Sequence, residues 1–383
     1  MEILHVFSVL ETAEAFFDGQ FRYLSNQGYN LHLICRGDDC RIAEFSLRNR
    51  LKGYLSIAIS RKITPISDLK GIYKICSYIH HYKINVVVGH TPKGALLSMI
   101  AAFIMRIPKR IYYRHGVVYT TQIGIKRVIL KIEEQFVSIL ATKIICVSPS
   151  LFQLSIKEHL NSAAKQRIIG AGTCGGIDAI HKFNPNSLDP LKKDALLRQY
   201  NLRSSQFIVG FCGRLCRDKG IVELVEGFTL FLSKYPQYDV ILMLIGVFDE
   251  RDSLPKDTIE EITSNRNIIY TGYVRSDIEY YYSLIDIFVF PSYREGFGMC
   301  VLEASAMEKA VLVSRSHGCI DSIQDGITGY YIEITPQDIC KRIEQLYNSN
   351  LRFQLGRLGR KFVLEYFDHS VMWPQILNLY QSI

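Results

Sequence analysis

The sequence predicts an α/β protein of two Rossmann-like domains facing a central cleft. Three observations carry this. Short β-branched runs alternate with helix-period segments along the chain. The alternation breaks once, at the turn-rich Phe183-Asn-Pro-Asn-Ser-Leu-Asp-Pro190, and then resumes. A chain of 383 residues is long for one core and comfortable for two. The domain limits that follow are 1–185 and 186–365. A last helix, about 366–383, is expected to pack back onto the first domain.

In the first half the strand candidates are Ile3–Val9, Leu31–Cys35, Val86–Gly89, Ile111–Arg114 and Lys143–Ser148. Helix-period stretches lie between them near 15–27, 69–82, 93–106, 124–141 and 149–159, the pattern of a parallel sheet covered on both faces. The linker comes next. The second half repeats the rhythm: Phe207–Cys212, a helix from Gly220, Val240–Ile245, a helix near 256–264, Ile268–Thr271 and a helix near 277–284. It continues with Ile287–Phe290, a helix over 299–309, Val311–Ser314, Tyr330–Ile332 and closing helices. In such sheets ligands gather at the carboxyl ends of the strands.

The composition is globular, 48% apolar and 21% charged. Ten scattered cysteines form no CxxC pair, so reduced core thiols are expected. Met1 leads straight into a strand with no basic leader or cleavage site, and the longest apolar helix candidate, Ala95 to Met105, is too short to span a bilayer. A cytoplasmic location is the expectation. Charge is unevenly spread. Residues 1–185 hold 24 Lys and Arg against 12 Asp and Glu, a net of +12, whereas residues 186–383 hold 21 against 25, a net of −4. The basic half fits an anionic membrane leaflet or a lipid diphosphate, with plain solubility as the bland alternative. No nucleic-acid-binding motif accompanies it. Ile123-Gly-Ile-Lys-Arg-Val-Ile-Leu-Lys131 is a basic amphipathic candidate, though a core-facing helix reads equally well.

Chemistry concentrates in Pro291-Ser-Tyr-Arg-Glu-Gly-Phe-Gly-Met-Cys-Val-Leu-Glu303. A strand, a glycine-broken turn and a helix start make an anion site, because the first helical amides lack partners. Glu295 in the turn and Glu303 in the helix are odd beside a phosphate alone; they suit a ligand that also carries hydroxyls, as a nucleotide sugar does. Gly210-Phe-Cys-Gly-Arg-Leu-Cys-Arg-Asp-Lys-Gly220 follows a buried strand and opens a helix. There Gly213 allows close backbone approach, and Arg214 and Lys219 supply charge to a diphosphate. Tyr112-Tyr-Arg-His-Gly116 puts His115 at a strand end, in a cleft or in a structural role. Phe16-Phe-Asp-Gly-Gln20 offers Gly19 and Gln20 in a loop that geometry alone also explains. There is no Asp-x-Asp pair for a diphosphate-bound divalent ion and no metal-ligand spacing, so no metal and no cofactor are expected. The Gly-x-Ser-x-Gly elbow and the P-loop are absent, against a hydrolase or an NTPase.

With those residues in place, the chain resembles the retaining family-4 glycosyltransferases of the GT-B fold. The resemblance spans nearly the whole length and is strongest over Phe207–Gly220 and Asp286–Ile332, including Glu303-Ala and Gly326-Ile-Thr-Gly329. It implies that Glu295 holds donor-sugar hydroxyls with the backbone of Gly296, Phe297 and Gly298. Glu303 would hold the ribose, Arg214 and Lys219 the diphosphate, and His115 would face the sugar from the other domain. His90-Thr-Pro-Lys-Gly94 looks like a segment of bacterial capsule and O-antigen enzymes, which makes His90 and Lys93 acceptor-side candidates. Two segments depart from the family pattern: Asp18-Gly19-Gln20 stands for a Gly-Gly pair, and Gly172-Thr-Cys-Gly-Gly-Ile-Asp178 for an Asn-Gly-Val-Asp turn.

The resemblance implies metal-independent, retaining transfer of a hexosyl or N-acetylhexosaminyl group from a nucleotide-diphosphate sugar to a lipid-diphosphate-linked glycan. UDP is favoured over GDP by family habit. The enzyme would sit peripherally on the inner face of the cytoplasmic membrane. The rivals are a nucleotide-sugar 2-epimerase of the same fold and a non-catalytic partner in a glycan-assembly complex.

Overall fold

The structure, a computed structural model, describes residues 1–60, 64–347 and 350–382. Ile383, at the end of the expected closing helix, lies outside the described residues. The chain divides into two compact units: Met1–Gly175 with Met372–Ile383, and Gly176–Val371.

Unit 1 is built on seven strands: β1 (Glu2–Val6), β2 (Asn30–Cys35), β3 (Gly53–Ser56), β4 (Val86–His90), β5 (Lys109–Arg114), β6 (Lys143–Cys146) and β7 (Gln166–Arg167). They form one parallel sheet in the order β3-β2-β1-β4-β5-β6-β7. The central strands are apolar and buried because helices cover both faces; Val86-Val-Val88, for instance, is fully enclosed. Unit 2 repeats the design with β8 (Phe207–Cys212), β9 (Val240–Ile245), β10 (Ile268–Gly272), β11 (Ile287–Phe290), β12 (Ala310–Ser314) and β13 (Gly329–Ile332). Its parallel order is β10-β9-β8-β11-β12-β13. In each sheet the winding direction reverses next to the first strand, between β1 and β4 and between β8 and β11. That reversal opens a crevice beyond the strand ends.

Among the described residues, four strands and α-helices escape the sequence reading. β3 and β7 are short edge strands; the other two are the helices Asp39–Arg48 and Pro190–Gln199. The latter starts at Pro190, the last residue read as linker; Asp189 caps it by accepting from the Leu191 amide at 2.9 Å and proline occupies its first turn. The single helix expected near 15–27 is two, Leu10–Phe17 and Gln20–Asn26, parted at Gly19 where φ is +77°. Residues 176–185 belong to unit 2. Ile177 exchanges backbone hydrogen bonds with Phe367 and His369 at 2.9 and 3.0 Å, and Asp368 accepts from the Ala179 amide at 2.9 Å.

Candidate active site

In unit 2 the loops leaving β8 and β11 lie side by side at the winding reversal. Gly220 ends the first loop with φ +66°, and a Cβ there would meet the Pro291 carbonyl oxygen at 2.2 Å. Only glycine allows the two loops to approach so closely. Tyr293 donates its amide to the Asp218 carbonyl at 2.9 Å, and the Arg294 guanidinium pairs with the Asp218 carboxylate at 2.5 Å. From the next strand end, Ser314 and Ser316 both donate to the Ser292 carbonyl, at 2.5 and 2.7 Å. Gly318 lies directly on the turn, where a Cβ would meet the Gly296 oxygen at 2.6 Å. The Pro291–Gly298 loop is therefore held by its neighbours on either side.

This scaffold brings Lys219 and Glu295 into direct contact. The ammonium ion-pairs with Oε1, with side chains 12% and 18% exposed. Lys219 also lies 5.5 Å from the centre of the Phe290 ring. Beside the pair, the buried amides of Gly296, Phe297 and Gly298 donate to no acceptor among the described residues. They sit at the start of the helix Met299–Ala306, where partial positive charge collects. Glu303, further along that helix, accepts from the Tyr282 hydroxyl at 2.7 Å. Burial raises its pKa, against the pull of Tyr282 and Lys182.

Arg214 stands at the end of β8 with about half its side chain exposed, and ion-pairs with the buried Asp249. Asp249 also accepts from Arg251 Nε at 2.7 Å. Gly213, just before Arg214, bonds through its amide to the Ile245 carbonyl at 2.9 Å. Neither Asp249 nor Tyr282 was read from sequence. A signal for Asp249 existed: it is the first acid beyond the all-apolar β9, the strand next to β8.

In unit 1 the candidates His115 and His90 belong to one hydrogen-bonded chain. His115 Nδ1 meets Cys174 Sγ at 3.0 Å, and its Nε2 meets His90 Nδ1 at 3.0 Å. His90 Nε2 meets His5 Nδ1 at 2.9 Å, and His5 Nε2 meets Tyr380 Oη at 3.3 Å. Both nitrogens of His115 are thus engaged within unit 1, so a hydroxyl could reach one only by displacing such a bond. Phe7 stacks on His90 at 4.0 Å and Phe17 abuts it edge-on at 4.7 Å. Burial among these rings depresses the histidines, His5 to about 3 and His115 to about 4, so they stay neutral.

The two segments that depart from the family pattern meet here. Gln20 packs against Gly175, and Phe16 stacks near His115 at 6.1 Å. Gly19 donates to the buried Asn49 at 2.9 Å. Gln20 Oε1 and Tyr113 Oη, both buried, have no hydrogen-bond partner among the described residues. Lys93 stands apart, its ammonium held by Asp68 at 2.6 Å. Among the described residues no group of three or more His, Cys, Asp or Glu is placed to hold a metal ion.

Two parallel-sheet units of this winding have the architecture of the GT-B fold. Two family models match the chain: Glycosyltransferase Family 4 over residues 14–172, and Glycosyl transferases group 1 over residues 192–362. The chain is 32% identical to the capsular polysaccharide biosynthesis glycosyltransferase CapM of Staphylococcus aureus, over 95% of this chain and 93% of that one. It is 23% identical to the UDP-Gal:alpha-D-GlcNAc-diphosphoundecaprenol alpha-1,3-galactosyltransferase of Escherichia coli, over 83% and 80%. The solved structure of Anabaena Alr3699/HepE in complex with UDP-glucose covers 100% of both chains with a TM-score of 0.82 at 18% identity. The chain belongs to glycosyltransferase family 4.

Proposed function

We propose that this glycosyltransferase moves a hexosyl or N-acetylhexosaminyl group from a nucleotide-diphosphate donor to a lipid-diphosphate-linked oligosaccharide in bacterial capsule or O-antigen assembly. The donor is a UDP-sugar ahead of a GDP-sugar, and the anomeric configuration is retained. The observation that carries this reading is the meeting of Lys219 and Glu295 beside three unpartnered amides at the winding reversal. Two relatives support it by name, one in capsular polysaccharide biosynthesis and one using UDP-Gal with a diphosphoundecaprenol-linked acceptor.

In this reading Glu295 and the amides of Gly296, Phe297 and Gly298 hold sugar hydroxyls, and Glu303 holds the ribose. Arg214 and Lys219 stabilise the charge that gathers on the departing diphosphate, the role a metal would otherwise fill. The bond from the anomeric carbon to the diphosphate breaks with its electron pair leaving on oxygen. The acceptor oxygen bonds to the same face, and its proton passes to a leaving-group oxygen. His115, Gly19 and Gln20 lie on the acceptor-side unit, and the enzyme works peripherally at the inner face of the cytoplasmic membrane.

The test is a panel of nucleotide sugars offered with a lipid-diphosphate acceptor, with and without EDTA, the product read by NMR. EDTA-insensitive transfer with retained configuration is expected. Inversion, or metal dependence, overturns that part of the mechanism, and conversion of the donor with no acceptor present would favour an epimerase.

A further inference from the structure

The helix Gly124–Leu140 turns an apolar stripe outward. Ile125, Val128, Ile129, Ile132, Phe136 and Ile139 recur at three- and four-residue spacing, so they share one face. They are 80, 54, 47, 57, 44 and 69% exposed. The opposite face is committed to the interior, with Val137 and Leu140 in the core and Glu134 on the buried Arg114 at 3.3 Å. A helix on a globular surface ordinarily has this polarity reversed.

The stripe has apolar neighbours. The adjoining helix Pro92–Ile104 ends in Phe103 and Ile104, which are 57% and 58% exposed. Beyond it, the helix Pro65–His81 exposes Ile66, Leu69 and Tyr73, again at helical spacing. Both Asp68 and Lys93 of these two helices bear on the Glu133 carboxylate, Lys93 attracting it and Asp68 repelling it.

The charges decide the occupant. Every exposed residue among the Lys, Arg, Asp and Glu of the three helices is basic: Lys70, Lys74, Lys126 and Arg127, the last about half exposed and 3.9 Å from Glu158. Their three carboxylates turn inward: Asp68 to Lys93, Glu134 to Arg114 and Tyr112, and Glu133 half-buried between helices. An apolar face rimmed by exposed cations and no exposed carboxylate is complementary to anionic headgroups above acyl chains. Among the described residues no helix is long and apolar enough to cross a membrane, so such a face can act only from the surface.

We infer that the outward face of the helix Gly124–Leu140, with Phe103, Ile104 and the flanking lysines, docks on an anionic lipid bilayer. This rests on the reading of the acceptor as lipid-linked, and it names the part of unit 1 that meets the membrane. The stripe lies at the boundary between headgroups and acyl chains, and the basic residues lie among the headgroups.

The test is flotation of the full chain with phosphatidylcholine vesicles with and without phosphatidylglycerol. Two variants are compared with it: Ile129→Glu with Ile132→Glu, and Lys126→Glu with Arg127→Glu. The wild type is expected to float with the anionic vesicles. The apolar variant should lose about tenfold or more of its partitioning at any salt concentration, and the basic variant should lose most at low salt. An Ile132→Trp variant should show a blue-shifted emission band on adding anionic vesicles. Circular dichroism and transfer to a water-soluble short-chain acceptor should be unchanged. Partitioning that ignores both variants overturns the inference, as does a stripe that proves to close a dimer in sedimentation velocity. Loss of vesicle binding with soluble transfer intact removes the surface and spares the function. Vesicle binding without transfer to any lipid diphosphate does the reverse.

Discussion

Glu295 and Lys219 neutralise each other at the point where a sugar diphosphate would present hydroxyls and negative charge together. Neither is buried deeply enough to be locked, and each partner can be exchanged for a ligand atom of the same sign. Glu295→Ala should lower kcat by about a hundredfold or more, since positioning and charge are lost together, while the melting temperature barely moves. Wild-type turnover in that variant removes Glu295 from the site. Arg214→Ala should slow the chemical step by a similar order without changing which sugar is chosen. An effect confined to acceptor KM would take the diphosphate away from Arg214. Gly220→Ala forces a methyl against the Pro291 carbonyl, and a loss of about 1–3 kcal/mol in urea unfolding is expected, with activity falling further. At this scale the residue types were readable from sequence and their contacts were not. Lys219 and Glu295 are 76 positions apart, and Asp249 is 35 from the arginine it holds.

Within unit 1 three imidazoles form one hydrogen-bonded chain. A neutral ring has one donor nitrogen and one acceptor, and each ring here uses both, so all the bonds must point the same way from end to end. The ring pKa values set a pH dependence. The unfolded histidines take up protons near 6.5, whereas folded His115 and His5 resist to about 4 and about 3. Stability is therefore whole above about pH 6.5 and falls as pH drops toward 4, by up to about 1.4 kcal/mol per pH unit for each histidine. Urea midpoints at pH 7 and pH 5 should differ, and His115→Gln should reduce the difference. Equal midpoints in the wild type would mean the rings are charged in the fold. The long, fully buried strands were legible because their residues are apolar without interruption. β3 and β7 were not, since four- and two-residue edge strands carry too little pattern. The inward Glu134 and outward isoleucines of the helix Gly124–Leu140 could not be assigned to sides by periodicity, which gives a face and not its direction.

For the whole molecule, the sequence rhythm showed two Rossmann-like units, but its break at the linker put residues 176–185 in the first, whereas they belong to unit 2. That was settled by hydrogen bonds to Phe367, Asp368 and His369, almost two hundred positions away. The last segment, Met372 onward, belongs to unit 1, where Met372, Ile376 and Tyr380 are buried. Ending the chain at Val371 should therefore loosen unit 1, seen as faster amide exchange in β1 and β4, and leave exchange in β8 and β11 unchanged. Uniform loosening of both units would contradict that division. Tyr380 closes on His5 across 375 positions of chain. During translation the amino-terminal half emerges first, yet it waits for its last pieces until the carboxyl-terminal half has been made. The unit begun first is thus the one completed last, and a truncated translation product can carry a finished unit 2 beside an unfinished unit 1.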